Sequence, residues 1–368
     1  MLSKRASVMD ASGIRKVFDL AANLAEPIDL SIGQPDFEVP EAARAAMKRA
    51  VDEGRSRYTP SPGIPELRLA VRVRCRERYG FEPEDVMITS GTSGGLTVAL
   101  MATVDPGDDV LVPDPYFVSY KQLVLACGGR PIFYDTYPDF RLRAEALRRA
   151  VTDRTKLLVL NSPCNPTGAV LPEEDVRAAC EFAREHGLTI LSDEVYDPFW
   201  YATRPVSPAR FHAETITVNG WSKSHAMTGW RVGWAAGPGE VISQMVKMQQ
   251  FTFVCAPAPA QHAALASMDT DTEPVRRSYL AKRDLACGML TEAFELVEPQ
   301  GAFYAFPAAP GGSGAGFVRR AIDRGVLVIP GGVFSERDTH FRISFAAADE
   351  TVERGCRVLV ELARGPAA

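Results

Sequence analysis

Short apolar runs alternate with longer helix-like stretches between residues 86 and 220. VMIT (86–89), DVLVP (109–113), PIFYD (131–135), KLLVLN (156–161), LTILSD (188–193) and TITVNG (215–220) are short and almost uniformly apolar, and predict buried strands. GGLTVALMATV (94–104) and EEDVRAACEFAREHG (173–187) lie between them and predict helices. Strand–helix–strand alternation of this length implies an α/β fold: a mostly parallel sheet with helices on both faces. Such sheets bind ligands just beyond the C-terminal ends of their strands. After about residue 270 the texture changes. Residues 272–294 predict one long helix, GAFYAFP (301–307), GVLVIPGG (325–332) and HFRISFA (340–346) predict shorter strands, and residues 348–364 predict a closing helix. GGSGAG (311–316) reads as a flexible connection. The expected division is a large unit over 44–272 and a smaller α+β unit from 1–43 and 273–368, because SIGQPDFEVP (31–40) is turn-rich and stands outside the alternation.

Composition narrows the function classes. The chain of 368 residues is too long for one small core, and its 46% apolar and 24% charged residues are ordinary for a soluble protein. A net charge of −5 argues against nucleic acid as partner, since phosphate binding needs clustered basic surface. No apolar run is long enough to cross a membrane, and the first residues carry no apolar stretch of the signal-peptide kind. Seven scattered cysteines without a C-x-x-C spacing suggest neither a disulfide framework nor a metal site, and fit the cytoplasm.

The predicted strand ends carry unusual polar residues. TSGTSGGL (89–96) opens a helix with small and hydroxyl residues, a pattern suited to an anion at a helix N-terminus. NSPCNPTG (161–168) presents Asn165 in a turn. Asp193 closes an apolar run, and Tyr196 follows it. Lys223 comes just after TITVNG, between Trp221 and Trp230, where a desolvated lysine would have a lowered pKa. An anion cradle, an asparagine, an aspartate and a lysine on one side of one sheet are what pyridoxal 5′-phosphate requires. The lysine holds its aldehyde, Arg231 and the cradle its phosphate, and the aspartate its ring nitrogen. One alternative belongs to another class. Gly91-Thr92-Ser93-Gly94-Gly95 spells G-x-S-x-G, and Ser93 could recruit Asp338 and His340 as a serine hydrolase. A non-enzymatic binding module is a further alternative.

SIGQPDF, YTPSPGIPELR, ITSGTSGGL, DPYFVSY, NSPCNPTG, SDEVY, SKSHAMTGWRVG, GAFYAFP and FRISFA occur in the order found in the class I/II aminotransferases of fold type I, which the chain closely resembles over nearly its whole length. The resemblance implies an enzyme that moves an amino group between an L-amino acid and a 2-oxo acid, with glutamate and 2-oxoglutarate as one pair, in a ping-pong cycle. C–S lyases, decarboxylases and ring-forming biosynthetic enzymes use the same strand-end set. By resemblance Lys223 is the Schiff-base lysine, Asp193 the partner of the ring nitrogen, and Asn165 and Tyr196 the groups on the ring oxygen. Phe117 stacks on the ring, and Ser90, Gly91, Thr92, Ser222 and Arg231 hold the phosphate. Tyr58 reaches the phosphate of a neighbouring subunit, which implies a homodimer. Gly33 and Arg342 bind the substrate α-carboxylate, and Ile14 and Arg15 line the mouth. Three departures stand out. Gly220 replaces a common hydroxyl three residues before the lysine, Cys164 replaces Asn or His, and residues 249–261 lack an arginine found in a dicarboxylate-specific branch.

Overall fold

The computed structural model describes residues 2–11, 13–14 and 26–365. Among these, seven strands form the main sheet: β2 (Asp85–Thr89), β3 (Asp109–Asp114), β4 (Arg130–Asp135), β5 (Thr155–Asn161), β6 (Thr189–Asp193), β7 (Thr215–Gly220) and β8 (Gly233–Gly237). A short β1 (Ile28–Asp29) precedes them. The order across the sheet is β2-β8-β7-β6-β5-β3-β4, and only β8 runs against its neighbours.

Alternate residues of each strand feed opposite layers. Val110, Val112, Leu157 and Val159 pack with Leu96, Val98 and Ile242 from helices Gly91–Thr103 and Gly239–Thr252. Leu111, Leu158, Leu160 and Ile190 face the other way, onto Val176, Ala179 and Phe182 of helix Glu173–Glu185. Both faces are therefore dry, which is why these strands read as apolar runs without polar alternation.

β8 was not predicted. Its sequence, GWAAG, is fully buried but has no aliphatic run to announce a strand. The cause is crowding. A Cβ on Gly233 would stand 2.7 Å from the carbonyl carbon of Gly91, and one on Gly237 would stand 2.6 Å from the Thr215 carbonyl oxygen.

The C-terminal elements form a second layer system. β9 (Tyr304–Ala305), β11 (Ile329–Pro330) and β12 (Phe341–Ser344) make a three-stranded sheet, while β10 (Val326–Leu327) pairs in parallel with β1. Helices Glu273–Leu290 and Asp349–Arg364 cover it, burying Tyr279, Leu290, Cys356 and Leu359 with Phe341 and Ile343. Val195, Tyr196 and Phe199, from the loop after β6, enter the same apolar cluster. GGSGAG is not merely a connection. Helix Gly314–Asp323 begins within it, capped by Ser313 Oγ, which accepts the Gly316 N–H.

Candidate active site

The C-terminal ends of β5, β6 and β7 deliver Asn165, Asp193 and Lys223 to one cavity of about 260 Å³ at the seam between the main sheet and the C-terminal elements. Lys223 lies on a single helical turn, Trp221–Ser224, immediately after β7. Its Nζ donates to the Gly33 carbonyl at 2.6 Å. Burial, followed by the nearby Arg342 and Arg231 charges, pulls its pKa down to about 8, and Asp193 opposes this. A large part of the amine is therefore neutral just above physiological pH.

Asp193 is 3% exposed. Tyr120 donates its hydroxyl to Oδ2 at 2.8 Å, and the Val195 N–H reaches Oδ1 at 3.2 Å. Burial raises the pKa of Asp193 to about 6, against the pull of these hydrogen bonds and of Lys223. The floor beneath it is tied down by Asn161, whose amide donates to the Asp193 carbonyl at 2.9 Å and whose Oδ1 accepts the Asn165 N–H at 3.0 Å.

Arg342, on β12, is 1% exposed and sandwiched between the rings of Tyr304 and Phe334, each 4.6 Å from Cζ. It donates to Asn165 Oδ1 at 3.0 Å and to the Ser31 carbonyl at 2.7 Å. Its Nε is buried with no partner, an unmet donor beside the cavity. Tyr304 also bonds Tyr196, hydroxyl to hydroxyl at 2.8 Å. Gly33 is required here, because a Cβ would stand 2.6 Å from the Tyr304 hydroxyl.

The opposite end is built for an anion. Helix Gly91–Thr103 starts at the cavity, with Gly91 at φ +69° and Ser90 as its cap residue. The Arg231 guanidinium lies against Gly91, where a Cβ would come within 2.8 Å of Cζ. Thr92 Oγ1 is buried without a partner. Helix N-terminal N–H groups, an orphan hydroxyl able to donate and a guanidinium form a donor-rich set suited to an anion. Gly220 now has a physical reason: a Cβ there would stand 2.9 Å from Gly233 Cα and 3.1 Å from Thr92 Oγ1.

The sequence model of the class I and II aminotransferases matches residues 25–359. This chain belongs to that family. It is an aminotransferase, moving amino groups between amino acids and 2-oxo acids. It is 36% identical to a probable aspartate aminotransferase of Methanocaldococcus jannaschii, over 98% of this chain and all of that protein. It is 39% identical to aromatic-amino-acid aminotransferase 2 of Thermococcus litoralis, over 96% of this chain and 95% of that one. A double mutant of the Thermus thermophilus aspartate aminotransferase superposes with a TM-score of 0.94 at 36% identity, covering 98% of this chain and 99% of that one.

In this aminotransferase the cavity brings together Ile14, Gly33, Thr92 and Phe117 with Ser222 and Arg231, besides the residues already described. Ser90 and Gly91 stand at the helix start just outside its lining. Tyr58 does not line it and is 83% exposed. Arg15 lies outside the described residues. The hydrolase set is not assembled: Ser93 borders the cavity, whereas neither Asp338 nor His340 does. Asp338 instead accepts the N–H groups of Ala315 and Gly332. Sequence reasoning missed Tyr120, Tyr304, Asn161 and Phe334. Tyr120 was legible, since it lies three residues beyond Phe117, at the start of helix Ser119–Cys127. Phe334 carries no signal before β12 is folded beside it.

Proposed function

We propose that this aminotransferase binds pyridoxal 5′-phosphate in the Lys223 cavity and uses it to transfer amino groups from neutral and aromatic L-amino acids to 2-oxoglutarate. The observation that carries the reading is a buried lysine and a buried carboxylate lining the same cavity as two polar groups without partners, Thr92 Oγ1 in the anion cradle and Arg342 Nε. Arg231, Thr92, Ser222 and the N–H groups after Ser90 would hold the phosphate. Phe117 would cover the ring, Asp193 would take its nitrogen, and Asn165 and Tyr196 its oxygen. Lys223 is the amine that would hold it covalently. When bound, the cofactor supplies an electron-withdrawing ring that stabilises negative charge at the substrate α-carbon.

The chain's own residues then have distinct tasks. Arg342, with Nε free and its plane locked between two rings, binds the substrate α-carboxylate at two points. Lys223 Nζ would accept the proton from the substrate α-carbon and return it, a task suited to an amine with a pKa of about 8. Asp193 is mostly ionised above pH 6 and stabilises a positive charge placed against it.

The substrate range rests on the cavity's charges. Among the described lining residues the cations are Lys223, Arg231 and Arg342, and each already has a task. Ile14, Leu96 and Phe117 offer apolar surface instead. The likeness to an enzyme named for aromatic amino acids is consistent with this, although other relatives are named for aspartate.

The same reading takes residues 44–272 as the cofactor unit and 1–43 with 273–368 as a smaller unit, a division supported by their separate sheets. It makes the enzyme a cytoplasmic homodimer in which Tyr58 completes the partner's phosphate site. Tyr58 projects beside an anchored loop, with Gln261 donating to Thr59 Oγ1 at 2.9 Å and Gln249 donating to the Ser61 carbonyl at 2.6 Å. Among the described residues no helix is long and apolar enough to cross a membrane. The test is borohydride reduction of the cofactor-loaded enzyme followed by peptide mapping. The cofactor should remain on the Lys223 peptide. A protein that takes up no pyridoxal phosphate, or carries it elsewhere, overturns the reading. For the substrate range, a preference for aspartate over phenylalanine of about a hundredfold or more, some 2.7 kcal/mol, would contradict it.

A further inference from the structure

Behind the Lys223 turn, on the far side from the cavity, lies a polar cluster that the reaction does not use directly. Its centre is Asp197, buried in the loop after β6. Arg78 approaches Asp197 Oδ2 at 3.3 Å, and the Tyr79 hydroxyl donates to the same oxygen at 3.1 Å. Both come from a π turn, Cys75–Tyr79, at the end of helix Pro65–Arg74. Asn219, buried at the end of β7, donates its amide to Asp197 Oδ1 at 3.0 Å. Asn219 Oδ1 accepts the N–H of Gly220 at 2.6 Å, and the turn carrying Lys223 begins at the next residue.

Burying a carboxylate, an amide and part of a guanidinium in this way is costly, and Arg78 Nε is left without a partner. The strands do not need it, since β6 and β7 are already paired through their backbones. What does need support is the turn Trp221–Ser224. Four residues cannot hold a helical turn by themselves, and the position of Lys223 Nζ follows from the position of this turn. The loop containing Asp197 also contains Tyr196 and directly follows Asp193, the last residue of β6. The hydrogen bonds from Asp197 through Asn219 to Gly220 therefore join the segment facing one part of the cavity to the segment carrying the amine.

We propose that Asp197 and Asn219 are positioning residues that, braced by Arg78, fix the Lys223 turn relative to Asp193. The importance of this position rests on the reading of Lys223 as the reactive amine, but the test does not require that reading. In cofactor-free protein, the rate at which an acylating reagent modifies each lysine is measured against pH and resolved by peptide mass spectrometry. The variants are Asn219→Ala and the nearly isosteric Asp197→Asn, which carries the test alone if the first does not fold. Loosening the turn lets water reach Lys223, so the midpoint of its profile should rise by roughly half a pH unit or more towards the ordinary lysine value. Lys282, buried on helix Glu273–Leu290 against Asp36, is the internal control and should not change. In the loaded enzyme kcat should fall by about tenfold to a hundredfold, with KM for the amino donor little altered. An unchanged or lowered Lys223 midpoint in folded variants overturns the proposal, as does an equal change at Lys282, which would make the cluster a support for the whole fold.

Discussion

Replacing Arg342 by lysine keeps the charge and removes the fork. The wild-type guanidinium is fixed by Asn165 and the Ser31 carbonyl and flanked by Tyr304 and Phe334, with Nε still free. A lysine ammonium is a point charge on a flexible stem and cannot reproduce two parallel hydrogen bonds to a carboxylate. Removing one partner of a buried, hydrogen-bonded charge pair costs about 2–5 kcal/mol. Since each 1.36 kcal/mol is a tenfold change in rate, kcat/KM should fall by roughly 30- to 5,000-fold. The α-carboxylate is common to every substrate, so the fall should be similar for alanine, methionine, phenylalanine and aspartate. The assay follows kcat/KM across this panel with 2-oxoglutarate as acceptor, after cofactor loading of the variant has been checked by its visible absorption. A loss confined to one donor, or no loss in a loaded Arg342→Lys enzyme, would refute the assignment of Arg342 to the α-carboxylate.

Stability should report the desolvation of Lys223. Its folded pKa of about 8 lies below the ordinary 10.5, so the folded state binds the lysine proton less well than the unfolded chain. The penalty is fully present below pH 8, shrinks as pH rises to 10.5 and vanishes above it. Cofactor-free Lys223→Met should accordingly be more stable than wild type by about 3 kcal/mol at neutral pH, with the gap narrowing to about 1 kcal/mol by pH 10 in denaturant titrations. Gly91→Ala forces a side chain into a positive-φ position against Arg231; equilibrium titration of the cofactor-free protein should show an affinity for pyridoxal phosphate lower by about tenfold or more. Mixing inactive Lys223→Ala and Tyr58→Ala chains should restore partial activity, because one hybrid site carries both wild-type groups, whereas sedimentation of an active monomer would contradict a shared site.

How legible the molecule was depended on the physics behind each feature. The parallel strands announced themselves because both sheet faces are dry, which concentrates aliphatic residues in β3, β5 and β6. β8 hid because the same close packing excludes large side chains from Gly233 and Gly237. Helix Gly314–Asp323 hid because its glycine-rich start is dictated by crowding, Gly314 lying against the His340 carbonyl. In the site, Asp193 stood out as a polar residue ending an apolar run, Asn165 as part of a turn just after one, and Lys223 as a lysine just after one, between two tryptophans. Phe334 and Tyr304, which clamp Arg342, look like ordinary core aromatics until the chain has folded. Asp197 and Asn219 read as a loop acid and a strand-end amide, and only their separation of 3.0 Å joins them.

The most direct test of the account follows the amino nitrogen itself. Cofactor-loaded wild type is incubated with a nitrogen-labelled neutral amino acid and 2-oxoglutarate, alongside Lys223→Ala. The account predicts labelled glutamate in a one-to-one ratio with the oxo acid formed from the donor, and none above background from the variant. Release of labelled ammonia, or loss of the donor's carboxyl as carbon dioxide, without labelled glutamate, or undiminished transfer by Lys223→Ala, would contradict it.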